Sequence, residues 1–415
     1  MNRVKNLLGH SLFKGSFVVM VGYLVANVMN YFFHVMTGRM LSVDDYGTMQ
    51  SLIALNYFIG VLMGGFGYVV INFLGKGRRG EYFSKIVFLE KKMIWISTGL
   101  FFVVLFLYPV FLYFLKIDDF LAYFVFCLPI LFSFVPTIYQ SALKVDYKFL
   151  MFSVLGVVMA LTKIVFSYIF LEQNFKVAGS LGGIFVSSLI VTALGWFLVR
   201  KYFRTKEIKK IKFDKGLVKF SFLSLGVSFF LIGIYSFDII LVKHYFSRYE
   251  AGIYGALSTV GKIILFGCTA VLTVAYPIFV KKRDEVEKLK KVFLLSLLFI
   301  FVIGVSGVIV FWFFPEFVVG NLFGERYNQV ASYVGLFGVF SFLLAVLHSM
   351  ILFLLAMEKK AAGFLSGLVL AGSVILVVFY HDSIKAVVYN LTVSCGLGLI
   401  LGTWFVIKEF KERKR

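Results

Sequence analysis

A chain of 415 residues, 60% of them hydrophobic, 19% aromatic and only 15% charged, is not an ordinary water-soluble domain, in which roughly 45–50% of residues are apolar and about a quarter charged. Its formal net charge of +21 would suggest nucleic acid as the partner of a soluble protein, but the placement of the charges removes that reading. Cys127, Cys268 and Cys395 each lie inside an apolar run, at spacings that fit no metal or redox motif, so they read as small packing residues and neither metal nor cofactor is expected.

Arg3, Lys5 and Lys14 precede a first apolar run at about 15–37. That run is longer than the about 7–15 residues of a signal-peptide core, and no small-x-small cleavage site closes it, so it is expected to remain as the first span. Further runs follow at 48–74, 93–115, 120–143, 149–171, 179–199, 217–242, 252–280, 292–314, 330–356, 361–380 and 386–407. Each offers about 20 mostly apolar residues, enough for a spanning helix. An all-α membrane protein of twelve spans is therefore predicted. A closed β-barrel does not fit, because its strands would be about ten residues of alternating polarity.

Lysine and arginine are retained on the cytoplasmic side of a membrane. With the N-terminus inside, 33 of the 42 basic residues fall in inner segments and 7 in outer loops, these being Arg39, Lys116, Lys176, Lys243, Arg248, Arg326 and Lys385. The outer loops also carry nine acids. Both termini are expected in the cytoplasm of a cell-membrane protein. Much of the positive charge then reflects topology and attraction to the anionic inner leaflet of the bilayer, and no nucleic acid is needed. The longest inner segment, RKYFRTKEIKKIKFDKGLVK at 200–219, holds nine basic residues and reads as a linker, either solvated or clamped to lipid headgroups. The expected organisation is an N-terminal six-helix bundle at 1–199, a basic linker at 200–216, a second six-helix bundle at 217–407 and a basic tail at 408–415.

The chain repeats. Ser42 placed over Ser247 without gaps brings Asp45 over Glu250, Gly47 over Gly252, Lys76 over Lys281 and Arg78 over Arg283, at a constant offset of 205 residues. Each half then has six spans, an even number, so the halves keep one orientation. That is a parallel repeat about an axis along the membrane normal, a common transporter plan with the substrate path between the halves. Asp45 and Glu250 sit where the next helix begins, and a carboxylate there gains roughly 0.3–1 kcal/mol from the helix dipole. Gly47 and Gly252 allow the turn to pack closely. All four read as structural.

GRMLSVDDYG at 38–47, FDIILVKHYFSRYEAGIYGALSTVGKI at 237–263, the proline of VAYPIFVKKRDE at 274–285 and FGERY at 323–327 together resemble the polysaccharide-export flippases of the multidrug/oligosaccharidyl-lipid/polysaccharide superfamily. The resemblance spans nearly the whole chain and rests on order and placement, since each motif is loose. It implies two six-helix bundles in a V shape, as in the MATE transporters, with alternating access to a central cavity. It also implies a polyprenyl-pyrophosphate-linked oligosaccharide as substrate, moved from the inner to the outer leaflet during polysaccharide biosynthesis. Polysaccharide-assembly glycosyltransferases and a polymerase are the implied partners. Twelve spans fit the O-antigen and capsule type, whereas lipid II flippases usually carry two more.

Ionisable residues at membrane depth cost at least a few kcal/mol and face the protein interior or water. Lys163 falls in the fifth run, Lys262 in the eighth, Asp238 near the outer end of the seventh, and Arg39 at the outer edge of the first. In one reading Lys163, Lys262 and Arg39 line the cavity and hold the anionic pyrophosphate, since a lysine binds phosphate as a point charge. In the other the charges pair internally, for instance Lys262 with Asp238, or snorkel to the interface. Asp238 is thus a candidate for ion coupling or for internal pairing. His34 and His348 read as packed, hydrogen-bonded residues.

GKGRRG at 75–80 matches a dinucleotide fingerprint but follows a span and has no βαβ unit around it. A GxxxxGK[ST] phosphate loop is absent. The glycine pairs Gly60/Gly64, Gly363/Gly367 and Gly398/Gly402 predict close helix packing. Three other functions compete with the flippase: a cation-coupled multidrug exporter of the same fold, a membrane glycan polymerase or ligase, and a non-transporting scaffold. The exporter would favour an acidic or neutral cavity, and two of the three embedded charges are lysines. A polymerase would need a long outer loop; the longest, 315–329, carries no catalytic constellation.

Overall fold

The computed structural model describes residues 2–75, 81–203 and 218–414. Among these there are helices and turns and no strand. The helices are α1 (Asn2–Met40), α2 (Val43–Gly75), α3 (Tyr82–Phe106), α4 (Tyr108–Leu115), α5 (Phe120–Cys127), α6 (Phe134–Val145), α7 (Phe149–Glu172) and α8 (Lys176–Phe203), then α9 (Val218–Ile234), α10 (Phe237–Tyr245), α11 (Arg248–Lys281), α12 (Val286–Phe313), α13 (Pro315–Phe323), α14 (Ala331–Ala356), α15 (Ala361–Phe379) and α16 (Ile384–Lys414). Among the described residues ten helical spans are long and apolar enough to cross a membrane, or up to twelve when two bent pairs are each counted as one. The protein is a multi-pass membrane protein.

The two bent pairs have local causes. Between α3 and α4 the axis turns by 49°, where Pro109 opens α4; its fixed φ and missing N–H suit a helix start and not a helix interior. Between α9 and α10 it turns by 45°. There the Ser236 N–H donates to the Gly233 carbonyl at 3.1 Å, a tight turn that ends α9. Asp238 then stands in the first turn of α10, where the helix dipole favours a carboxylate. A third interruption, between α5 and α6, is a short 3-10 segment at Leu128–Phe132 that carries Pro129.

By their contacts the residues form two units, one of Met1–Leu41 with Ile59–Phe222 and the other of Ser42–Phe58 with Leu223–Arg415. Most of the basic segment expected to link two bundles, 204–217, lies outside the described residues, as does 76–80 of the rejected glycine motif. The expected basic tail is helical as far as Lys414, within α16.

In the first unit, α1 packs on α7 and α7 on α8. An apolar core gathers Phe73, Phe83, Tyr139, Leu155 and Val199 from α2, α3, α6, α7 and α8. In the second unit α14 is the central helix, packed against α11, α12, α15 and α16, and its Phe337, Phe340 and Phe353 are fully buried. Large apolar side chains also cover the outside: Trp95, Phe106, Tyr113 and Phe313 are each at least 70% exposed, the surface expected where lipid is the solvent.

The repeat has a physical counterpart. Ser42 accepts from the Asp45 N–H at 3.1 Å and Ser247 accepts from the Glu250 N–H at 3.2 Å. The second is a full capping box, with the Glu250 carboxylate returning to the Ser247 N–H at 3.0 Å. Glycine spacing is a poorer guide. Gly398 and Gly402 do pack tightly, against Val369, Leu347 and Met350, and Gly367 lies against Phe230. Gly60 and Gly64 have nothing within 4 Å of a Cβ built on them, so that pair makes no close helix contact among the described residues.

Candidate functional site

The membrane-depth charges fall into two separate settings. In the first unit Lys163, on α7, reaches toward α1. Its ammonium donates to Asn30 Oδ1 at 2.5 Å and stands 4.3 Å from the centroid of the Phe33 ring. Asn30 and Lys163 are both half-buried, and Phe33 is fully buried. An amide oxygen and an aromatic face stabilise the cation without neutralising it. No carboxylate lies within ion-pair distance of Lys163 among the described residues.

Arg39 occupies the last turn of α1, where the helix dipole favours a cation, and its side chain is exposed. His34, one turn earlier, is half-buried and meets Phe33 edge-on at 5.3 Å.

In the second unit Asp238 and Lys262 come together. Asp238 is 1% exposed and Lys262 5%. The Lys262 ammonium lies 3.2 Å from Asp238 Oδ2 and 3.4 Å from Oδ1, and it also donates to Ser258 Oγ. The Tyr254 hydroxyl donates to Asp238 Oδ2 at 3.0 Å, and the Ser258 hydroxyl approaches the same oxygen at 3.5 Å. Phe337 closes the group from α14, with its ring centroid 5.9 Å from the Lys262 nitrogen. Gly261 admits that ring, because a Cβ there would collide with it. His348 is half-buried elsewhere on α14.

Tyr254, Ser258 and Lys262 are spaced by four along α11, so they line one helix face. That spacing of three polar residues through an apolar run is the sign in the sequence that Tyr254 and Ser258 belong with Lys262. Lys243, expected among the outer-loop charges, is instead fully buried at the end of α10, donating to Thr48 Oγ1 at 2.9 Å. Nearby, Gln50 donates to the Tyr46 and Thr259 hydroxyl oxygens, each at 2.6 Å. Nothing in the sequence foretells the contacts of Lys243 with Thr48 or of Gln50 with Thr259, since each joins helices about 200 residues apart.

The fold is thus that of a many-helix membrane protein in which one lysine is held by neutral groups and another is paired with a buried carboxylate. The chain belongs to the family described as polysaccharide biosynthesis protein, whose model matches residues 12–283, more than half of its length. A structure of the lipid II flippase MurJ in an inward closed conformation is similar at a TM-score of 0.73 and 12% identity, over 96% of this chain and 90% of that one. The MATE multidrug transporter DinF-BH gives 0.71 at 15% identity over 96% and 95%. A superfamily transporter from Pyrococcus furiosus gives 0.65 at 15% identity over 98% and 96%. At such identities the likeness is one of fold. No curated protein matches the sequence.

Proposed function

We propose that the protein is a flippase that carries a polyprenyl-pyrophosphate-linked oligosaccharide from the cytoplasmic to the outer leaflet by alternating access. The observation that carries this reading is Lys163: a cation at membrane depth whose partners are a neutral amide and a ring. Such a group is stable without substrate and still able to hold one phosphate as a point charge. Family membership supports the polysaccharide context. The strong bias of basic residues supports a cell-membrane location with both termini cytoplasmic. Six spans on each side of the basic linker at 200–216 remain the organisation we favour, with glycosyltransferases and a polymerase as working partners and no covalent chemistry in this chain.

Energetics favour the direction. An anion leaving an inside-negative cell gains about 2.3 kcal/mol per charge per 100 mV. The lipid tail stays in the bilayer while the headgroup crosses a polar path, which avoids the cost of unpaired polar groups in hydrocarbon. The drug-exporter alternative needs a carboxylate to take a cation, and Asp238 is already held by Lys262.

The test is leaflet sidedness. The protein is reconstituted in liposomes with a fluorescent polyprenyl-pyrophosphate oligosaccharide, and quenching of outer-leaflet label is followed over time. Protein-dependent translocation, slowed in Lys163→Gln, is the expected result. Efflux of a cationic dye with no lipid movement would overturn it.

A further inference from the structure

The twelve apolar runs of the sequence contain one acid, Asp238. A lone carboxylate at that depth has to be neutralised by a proton, a metal cation or a cationic side chain. Here the side chain does it. The Lys262 ammonium has three protons to donate, and it directs them at both Asp238 oxygens and at Ser258 Oγ. Tyr254 directs its hydroxyl at Asp238 Oδ2 from the same face of α11. A carboxylate and a hydroxyl are hard oxygen donors, the ligands that an alkali or alkaline-earth cation takes. The ammonium therefore contacts three oxygens, two of Asp238 and one of Ser258, of the kind that a monovalent metal ion takes.

We propose that Lys262 is the resident cation of this site, so that no alkali-metal ion binds at Asp238 and the transport cycle runs without one; the part concerning the cycle rests on the transport reading above. A tethered ammonium is present at a fixed, high effective concentration and cannot be diluted away. A sodium or potassium ion would have to displace it, leaving a buried lysine without a partner. Loss of the Lys262 charge reverses the situation: the carboxylate is then free to recruit a cation from solution.

Thermal unfolding of the purified full-length protein decides this without any substrate. Melting is measured across a sodium chloride series, with choline chloride holding ionic strength constant, and again with potassium in place of sodium. The wild type is expected to melt at one temperature throughout. Lys262→Met should melt lower in choline and recover saturably with sodium, since a ligand bound to the folded form alone raises stability with its concentration. Lys262→Met combined with Asp238→Asn should lose that response. A saturable sodium or potassium response in the wild type overturns the proposal. So does a Lys262→Met protein that ignores sodium. Should that variant not fold, the wild-type series alone decides. In liposomes, equal flipping rates in sodium and choline support the proposal and a rate that requires sodium overturns it. Absence of flipping in both salts would count against the transport reading and leave the melting result standing.

Discussion

Gly47 and Gly252, which the 205-residue repeat makes equivalent, touch each other. A Cβ built on Gly47 would lie 2.6 Å from the Gly252 nitrogen and 2.9 Å from the Ala251 carbonyl carbon, and one built on Gly252 would run into the Val43 carbonyl oxygen. The next pair behaves likewise, since a Cβ at Gly255 would meet Gln50, its own repeat mate, at 3.2 Å. The obstacles at Gly47 and Gly252 are backbone atoms that cannot rotate away. Gly252→Ala should therefore destabilise the protein by about 1–3 kcal/mol, the usual cost of overpacking. Gly60→Ala, with nothing near its Cβ, should be neutral or slightly stabilising in a helix. Melting temperatures of the two purified variants check this, and a larger loss in Gly60→Ala would contradict it.

Lys163 holds its place through one hydrogen bond and one ring. Lys163→Gln should leave the amount of folded protein in the membrane unchanged, because no buried carboxylate depends on it. If the protein carries the lipid proposed above, the variant should lose a charge-assisted contact to the anionic headgroup, about 1.5–3 kcal/mol, or roughly tenfold to a hundredfold in apparent affinity. Flipping rate against lipid concentration, together with membrane abundance, separates the two effects. Equal affinity in the variant would remove Lys163 from the substrate site.

The span count and the repeat can be read from the chain because both rest on local pattern: apolar length, positive-inside bias and a constant offset. The same information hides the interruptions. Runs 93–115 and 217–242 look continuous, yet α3 ends at Phe106 and α9 at Ile234, since hydropathy does not register a turn made by backbone geometry. Segment 315–329 reads as a loop. It folds into α13 and a short 3-10 helix, and Phe323 and Tyr327 from it pack edge-on against Tyr46, at 5.6 and 6.1 Å. Those partners are 277 and 281 residues apart in the chain, beyond any periodicity. In sequence, both Lys163 and Lys262 are cavity candidates, and pairing of Lys262 with Asp238 is an open alternative. What separates them is whether a carboxylate sits opposite, a tertiary fact.

At the C-terminal end of α16, side chains of the second unit clamp the helix. Lys359 bridges Glu409 at 2.8 Å and Glu412 at 3.4 Å, and Arg413 bridges Glu409 at 2.5 Å and donates to the Arg283 carbonyl at 2.6 Å. The Lys359 ammonium is held above its ordinary value of 10.5, chiefly by its hydrogen bond to Glu409. A raised folded value means that its contribution is complete below the unfolded value and is lost as the pH rises through the folded one. Glu285, between α11 and α12, has the opposite sign. Hydrogen bonds from Lys282 and Lys288 bring it down to about 2, so its contribution is complete above the ordinary 4.5 and is lost as the pH falls toward the folded value. Lys359 is partly exposed, so Lys359→Met should cost about 1 kcal/mol or less. The melting difference between variant and wild type should stay constant from about pH 5 to about pH 10 and shrink above that, once the lysine itself deprotonates. A difference that varies through neutrality would show that another group controls the clamp.

Asp238 and Lys262 should behave as a coupled pair. Removing one member of a buried ion pair strands the other and costs about 3–5 kcal/mol, whereas replacing both by groups of similar size is often near neutral. Lys262→Met should thus lower membrane abundance and melting temperature, in contrast to Lys163→Gln. Asp238→Asn alone should do the same, because the ammonium is then buried without a countercharge. The double variant should recover most of the loss. Tyr254→Phe, which removes one donor to Asp238 Oδ2, should cost about 0.5–1.5 kcal/mol in the wild type and less in the double variant, where the hydroxyl meets a neutral amide oxygen in place of a carboxylate. A double-mutant cycle on melting temperature measures this coupling directly. Additive losses from Asp238 and Lys262 would mean that the two act independently, and that Lys262 serves the substrate and not the carboxylate.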